Sequence, residues 1–248
     1  MISLHAVSKA YDGKVIVHNL TTSFHKEKIH ILLGPSGSGK TTILRLIMGL
    51  IEPDTGEIQI NDTIVSRQKH RDIASQIGYV IQESGLFPHL SAKENVTLVA
   101  KLRGWKKESI QKRLEELLRL VNLDNDSIRR YPQELSGGQR KRVSLMRALM
   151  LDPPYLLLDE PLGALDPIIR SELQAELKRI FSVLKKTVIL VTHDINEAAL
   201  FGDTISLFHQ GAIIQQGTFE ELCIKPTTTF VTQFIDAQKP PQNIRKFL

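Results

Sequence analysis

A mostly parallel α/β fold is predicted by three features of the sequence. Short, continuously apolar runs, Tyr155 to Leu158 and Thr187 to Val191, are separated by a helix-length segment with Ile169, Leu173, Leu177, Ile180 and Leu184 on one side. Strand, helix, strand with no polar alternation is the pattern of a sheet buried on both faces. A third apolar run, Ile29 to Leu33, enters a glycine-rich turn, beyond which Thr42 to Leu50 carry apolar residues at helical spacing.

Taken in order, the first segment alternates. Ile2, Leu4 and Ala6 oppose Ser3 and His5, and Val15, Ile16 and Val17 follow a turn at Asp12-Gly13. This predicts antiparallel strands. Gly56 to Asp62 is a second hairpin signal. From about Ser91 the pattern becomes helical, and Glu108 to Val121 places Ile110, Leu114, Leu117, Leu118 and Val121 on one face. Tyr131-Pro132 interrupts, and Ser136 starts another helix. The segment from Pro226 to Leu248, with prolines at 240 and 241, is expected to end loosely.

Composition bounds the function. The 248 residues are 42% hydrophobic and 24% charged, ordinary for a globular domain. No apolar run approaches the roughly 18 residues of a membrane span. The N-terminus lacks a basic stretch followed by an apolar run, so the expected location is the cytosol. One cysteine, Cys223, excludes an internal disulfide. A net charge of +5 is too mild to argue for nucleic acid, and the basic residues from Lys101 to Arg142 read as solvated helix faces.

Gly34-Pro35-Ser36-Gly37-Ser38-Gly39-Lys40-Thr41 fits the G-x-x-x-x-G-K-[ST] phosphate-binding pattern in full. Its glycines let backbone N–H groups converge on phosphates, and the following helix adds its N-terminal partial charge. Lys40 supplies a cation to the β- and γ-phosphates, Thr41 offers a hydroxyl to Mg²⁺, and Thr42 belongs to the same binding segment. Asp159 and Glu160 end an apolar strand. Asp159 is suited to hold Mg²⁺ through water, and Glu160, pointing to the strand's other side, to take a proton from the attacking water. His193 ends the next strand, where such sheets place ligands; its chemistry alone leaves a structural role and a γ-phosphate contact equally open.

Leu135-Ser136-Gly137-Gly138-Gln139 has the S-x-x-Q spacing of a capping box. A capped helix whose first turn is Gly-Gly also presents free N–H groups to an anion. Since the chain already has one phosphate loop, the natural occupant is a partner's nucleotide.

Together Tyr11, the loop at 34–41, Gln82, LSGGQ at 135–139, LLLDE at 156–160, ALD at 164–166 and His193 resemble the nucleotide-binding subunit of ABC transporters over roughly residues 1–235. The resemblance implies a P-loop NTPase fold with a mostly parallel core sheet and an antiparallel β subdomain. An α-helical subdomain at about 88–150 carries the signature, and 236–248 form a tail. It implies that a homodimer, or a pair with a homologous ATPase, sandwiches two ATP molecules with Mg²⁺ and hydrolyses them. Tyr11 would stack on adenine, Gln82 would join the metal site to the membrane partner, Asp166 would signal across the dimer, and His193 would contact the γ-phosphate. Ser136, Gly137, Gly138 and Gln139 would bind the partner's nucleotide.

The runs Gly85 to Ser91, Glu94-Asn95-Val96, Gly104-Trp105 and Arg130 to Leu135 further resemble the ATPases of importers of glycine betaine, choline or carnitine. Amino-acid and polyamine importers share parts of these runs, and export of lipid stays open. The implied partners are transmembrane permease subunits and a substrate-binding protein, with the chain peripheral on the cytoplasmic face. The apolar cluster Leu86-Phe87-Pro88 reads either as the edge of a groove for the permease, with Phe87 as anchor, or as a loop packing its own side chains into the core. Some members of that group continue into regulatory CBS domains. With its last residue at Leu248, this sequence is not expected to be regulated through them. Soluble ABC ATPases that act on nucleic acid carry a long coiled coil or two such domains. The interval from Thr41 to Leu135 has no sustained heptads, so no nucleic-acid partner is expected.

Overall fold

The computed structural model describes residues 1–238. Strands β1 (Ile2–Tyr11) and β2 (Lys14–Phe24) form the expected hairpin about Asp12-Gly13. One detail differs. A register shift with Ala6 at φ 51° turns Ala6 outward, and Val7 joins Ile2 and Leu4 in the core instead. A bulge of this kind resets the two-residue period that simple alternation assumes.

Strand β3 (Ile29–Leu33) runs into the glycine loop and α1 (Lys40–Ile47). β4 (Thr55–Ile60) and the short β5 (Thr63–Ile64) make the second hairpin. Helix α2 (His70–Gln76) leads into β6 (Ile77–Val80). The helical insertion comprises α3 (Ala92–Leu102), α4 (Lys107–Leu120) and α5 (Gly137–Leu149). β7 (Tyr155–Asp159), α6 (Pro167–Leu184) and β8 (Thr187–Thr192) then alternate as predicted, and α7 (Ile195–Phe201) follows. Two strands that the sequence pattern does not announce, β9 (Thr204–His209) and β10 (Ala212–Gly217), precede α8 (Phe219–Ile224) and α9 (Thr229–Asp236).

The expectation of a loose end from Pro226 is corrected in part. Helix α9 buries Val231 and Ile235, an i, i+4 pair on its inner face. The rest of the expected tail, from 239 onward with its two prolines, lies outside the described residues.

The strands form two sheets. The smaller is antiparallel in the order β2-β1-β4-β5. The larger runs β10-β9-β3-β8-β7-β6 and is parallel except at β10. Every residue of β7 and β8 is buried, which explains their unbroken apolar character. Helix α1 is wedged between the sheets. Its Ile43, Leu44, Leu46 and Ile47 share one apolar cluster with Ile2, Leu4 and Ile58 of the small sheet and Leu32, Leu157 and Ile189 of the large one. The other face of the large sheet is covered by the apolar sides of α3 to α7. Among the described residues, no helix is long and apolar enough to cross a membrane.

Candidate functional site

Register brings the sequence motifs to one edge. β3 pairs with β8 so that Leu33 lies opposite Thr192, and β8 pairs with β7 so that Val191 lies opposite Asp159. The residues that follow these strands, Gly34, His193 and Glu160, therefore leave the sheet side by side. β6 extends the row, with Val80 opposite Leu158, which delivers Gln82 beside Glu160. This is the carboxyl edge of a parallel sheet, where ligands bind in open α/β folds.

The glycine loop, Gly34 to Gly39, is folded back on Lys40. The Lys40 ammonium donates to the carbonyls of Gly34 and Pro35, each at 2.8 Å, and to Ser38 Oγ at 3.2 Å. Burial lowers the lysine's pKa, opposed by the nearby carboxylates of Glu160 and Asp159. The glycines divide into two kinds. Gly37 at φ 78° has open space where a side chain would stand, whereas Gly34 at φ 151° packs so closely on β9 that a Cβ would lie 2.3 Å from the Phe208 carbonyl oxygen. Gly34→Ala is therefore expected to destabilise the fold by about 2 kcal/mol through forced backbone movement. Gly37→Ala is expected to cost only about half of that, from its positive φ alone. Chemical denaturation of the two variants checks the order.

Thr41 and Asp159 are brought together, the Thr41 hydroxyl donating to Asp159 Oδ1 at 3.0 Å. Asp159 is 5% exposed. Burial raises its pKa and the charge of Glu160 adds to the rise; hydrogen bonds from Thr41 and Tyr79 oppose it. The donor set, one hydroxyl and one carboxylate, is the hard oxygen type that Mg²⁺ takes. Among the described residues no three His, Cys, Asp or Glu side chains cluster to hold a metal. Water and phosphate oxygens would have to complete the sphere. Gln82, expected at the same metal, instead donates from Nε2 to Glu160 Oε2 at 3.1 Å.

Glu160 separates from Asp159 by a turn as well as by strand alternation. β7 ends at Asp159, and Glu160 takes φ 43°, a left-handed value costly for a side chain other than glycine. Its N–H donates to the Val191 carbonyl at 3.0 Å, which pins the turn to β8. Its Oε1 lies 3.4 Å from Nδ1 of His193, a ring 53% exposed. The carboxylate thus stands between an amide and an imidazole, free of the Thr41–Asp159 pair.

The signature forms the predicted capping box. Ser136 Oγ accepts from Gln139 N at 3.2 Å and Gln139 Oε1 accepts from Ser136 N at 2.9 Å. Gln139 Nε2 also donates to Ser127 Oγ at 2.8 Å, so its side chain is engaged within the subdomain. The amides of Gly137 and Gly138, in the first turn of α5, have no carbonyl partner within the helix. The backbone there packs on the start of α6, since a Cβ on Gly138 would lie 3.0 Å from Ile169 Cγ2. Tyr11 is 40% exposed and pairs with Lys14, two residues before Ile16, whose carbonyl backs Gly39. Pro35, Ser36 and Thr42 lie at the partly open surface of the loop and of α1.

The segment from Gln82 to Leu90 is fastened from two helices. Buried Asn95 of α3 accepts from Phe87 N at 2.7 Å and donates to the carbonyls of Phe87, Leu90 and Ser91. From α5, Ser144 and Arg147 donate to the Ser84 and Gly85 carbonyls. The apolar trio expected here splits: Leu86 packs on the core, whereas Phe87 is 44% exposed beside His89.

Two residues of the site escape sequence reasoning. Tyr79 donates to Asp159 Oδ2 at 3.4 Å, and burial together with that carboxylate pushes its pKa up. Lys141 of α5 donates to the Gln82 carbonyl. Neither sits in a motif.

The family model described as ABC transporter matches residues 17–163. The glycine betaine/carnitine/choline transport ATP-binding protein OpuCA of Bacillus subtilis strain 168 is 43% identical over 240 residues, which are 96% of this chain and 63% of that protein. This chain thus spans less than two thirds of that relative's length. The glycine betaine uptake system ATP-binding protein YehX of Escherichia coli K12 is 41% identical over 94% of this chain and 76% of its own. Among solved structures, the dimeric post-hydrolysis state of the ATP-binding cassette MJ0796 with ADP and Pi superposes with a TM-score of 0.79 at 33% identity, covering 88% of this chain and 99% of that one.

Proposed function

The chain belongs to the ABC transporter family, and from that premise we propose that it is the ATP-hydrolysing subunit of an importer. The observation that carries this reading is the meeting of Lys40, the Thr41–Asp159 pair and the Glu160–His193 pair at the ends of three adjacent strands. In this reading Gly34 to Thr42 hold the phosphates and Tyr11 the adenine. Thr41, Gln82 and, through water, Asp159 would hold Mg²⁺, which would neutralise phosphate charge. Glu160, its two carboxylate oxygens facing Gln82 and His193, takes the proton of the attacking water, and His193 contacts the γ-phosphate. Two copies pair so that the Gly137 and Gly138 amides, with Ser136 and Gln139, close on the partner's nucleotide, while Asp166 signals across the contact. The purified chain should hydrolyse ATP only with a divalent cation. An inactive chain that also fails to bind ATP overturns the reading.

We place the chain on the cytoplasmic face of a membrane, held there by permease subunits. The exposed ring of Phe87 supports this as an aromatic anchor on a loop that starts at Gln82. Phe87→Ala should leave the isolated ATPase within about twofold, yet weaken permease association by about 2 kcal/mol and stop transport. Co-purification and uptake measured on the same preparation test this.

For cargo we propose quaternary amines such as glycine betaine or choline. The named activities of the relatives and the runs around Gly85 to Ser91 and Arg130 to Leu135 support that choice. Reconstitution with the permease and binding protein in liposomes should give ATP-driven uptake of labelled choline or betaine. Uptake of spermidine or an amino acid instead would refute the cargo and leave the ATPase reading intact.

A further inference from the structure

The two residues flanking His193 are held by a partly buried network that no motif announces. Arg170 stands in the first turns of α6, four residues after Asp166, whose side chain caps that helix by accepting from Ile169 N at 3.0 Å. Its Nη2 lies 2.6 Å from Asp194 Oδ2 and 2.6 Å from Glu197 Oε1. The other oxygen of Glu197, a residue 2% exposed, accepts from the Thr192 hydroxyl at 2.6 Å. That hydroxyl also accepts from Asp194 N at 3.0 Å, and Asp194 Oδ1 caps α7 by accepting from Asn196 N at 2.7 Å. Thr192 and Asp194 are thus locked on either side of an imidazole that is itself half exposed and 3.4 Å from Glu160.

Helix stability does not account for the arginine. A cation near a helix N-terminus opposes the helix dipole, and the acidic N-cap of α6, Asp166, is not its partner; its two carboxylates, Asp194 and Glu197, belong to the start of α7. Arg170 is also the cation facing the buried Glu197 carboxylate, so its loss alone would cost the fold stability, a cost that Arg170→Lys avoids. What the network fixes is geometry: it joins the start of α6 to the loop bearing His193.

We propose that Arg170 is a positioning residue for hydrolysis, holding the His193 imidazole against Glu160 through Asp194, Glu197 and Thr192. This inference rests on the ATPase reading above. Arg170→Met should lower kcat about tenfold or more while KM for ATP stays within about twofold, because a small displacement at the reacting centre costs rate and not binding. Both contacts converge on a single nitrogen, so Arg170→Lys should recover much of the loss. In a His193→Ala background Arg170→Met should cost nothing further, since the two residues act as one unit.

A separate readout does not need turnover. The His193 ring resonances, identified by their absence in His193→Ala, should shift or broaden in Arg170→Met and return with lysine. Asp194→Asn, which keeps the cap on Asn196 and loses the charge facing Arg170, should act in the same direction more weakly; it decides the question if Arg170→Met does not fold. Unchanged kcat together with unchanged ring resonances overturns the proposal. So does an equal kcat loss with and without His193. A wild-type chain without ATPase activity sinks the functional reading instead, while the ring resonances still decide whether Arg170 orders His193.

Discussion

Lys40→Ala is expected to remove most nucleotide binding. The ammonium is the cation that faces the β- and γ-phosphates in the proposed complex, and its charge-assisted hydrogen bonds have no substitute in an alanine. A loss of about 3 kcal/mol corresponds to a Kd weakened roughly 150-fold. In the unliganded chain the same ammonium is spent on the carbonyls of Gly34 and Pro35 and on Ser38 Oγ. Its burial disfavours the charged form. The two effects oppose each other, so the variant should keep its thermal stability to within about 1 kcal/mol. Calorimetric titration with ATP, set beside a melting curve, separates a lost ligand contact from a lost fold. Near-normal ATP affinity in a folded Lys40→Ala chain would remove the lysine from its assigned place.

Glu160→Gln is expected to leave ATP binding intact and to slow hydrolysis by about 10²- to 10⁴-fold, the usual contribution of a positioned general base. The substitution is close to isosteric. An amide oxygen can still accept from Gln82 Nε2, which donates to the carboxylate at 3.1 Å, but it cannot take a proton from water. Trapped with unhydrolysed ATP, the variant should pass from monomer to dimer, and ADP should not have this effect. Light scattering after size exclusion measures both states. Ordinary turnover by the purified variant would contradict the role given to Glu160, and a variant that remains monomeric at high ATP would count against the nucleotide sandwich.

The parts of the site that could be read from sequence are contiguous ones. The loop from Gly34 to Thr41, the Asp159-Glu160 pair and the capping box at Ser136 to Gln139 each contain their own physics within a few residues. The core helices and strands were legible for a related reason, since burial on both faces writes an unbroken apolar run in β7 and β8. Arg170 was not legible because its carboxylates lie 24 and 27 positions away, and Tyr79 reaches Asp159 across 80. β10 was hidden by half-burial, since no position in it is fully buried. Ala6 misled because a bulge restarts the strand period in mid-strand. Gln82 is expected with the metal donors from its motif alone; its hydrogen bond to Glu160, 78 positions away, is not legible there.

Asn95 has a mechanical consequence. With its four hydrogen bonds to the backbone of Phe87, Leu90 and Ser91, and with Ser144 and Arg147 clamping Ser84 and Gly85, the stretch beyond Gln82 has little slack of its own. Any force applied at the exposed Phe87 ring must carry α3 and α5 along with it. In the proposed complex the stretch would serve as the short arm of a lever whose beam is α3 to α5, hinged near Gln82, which donates to Glu160. A rigid arm loses little travel to bending, so displacement at one end arrives at the other nearly undiminished.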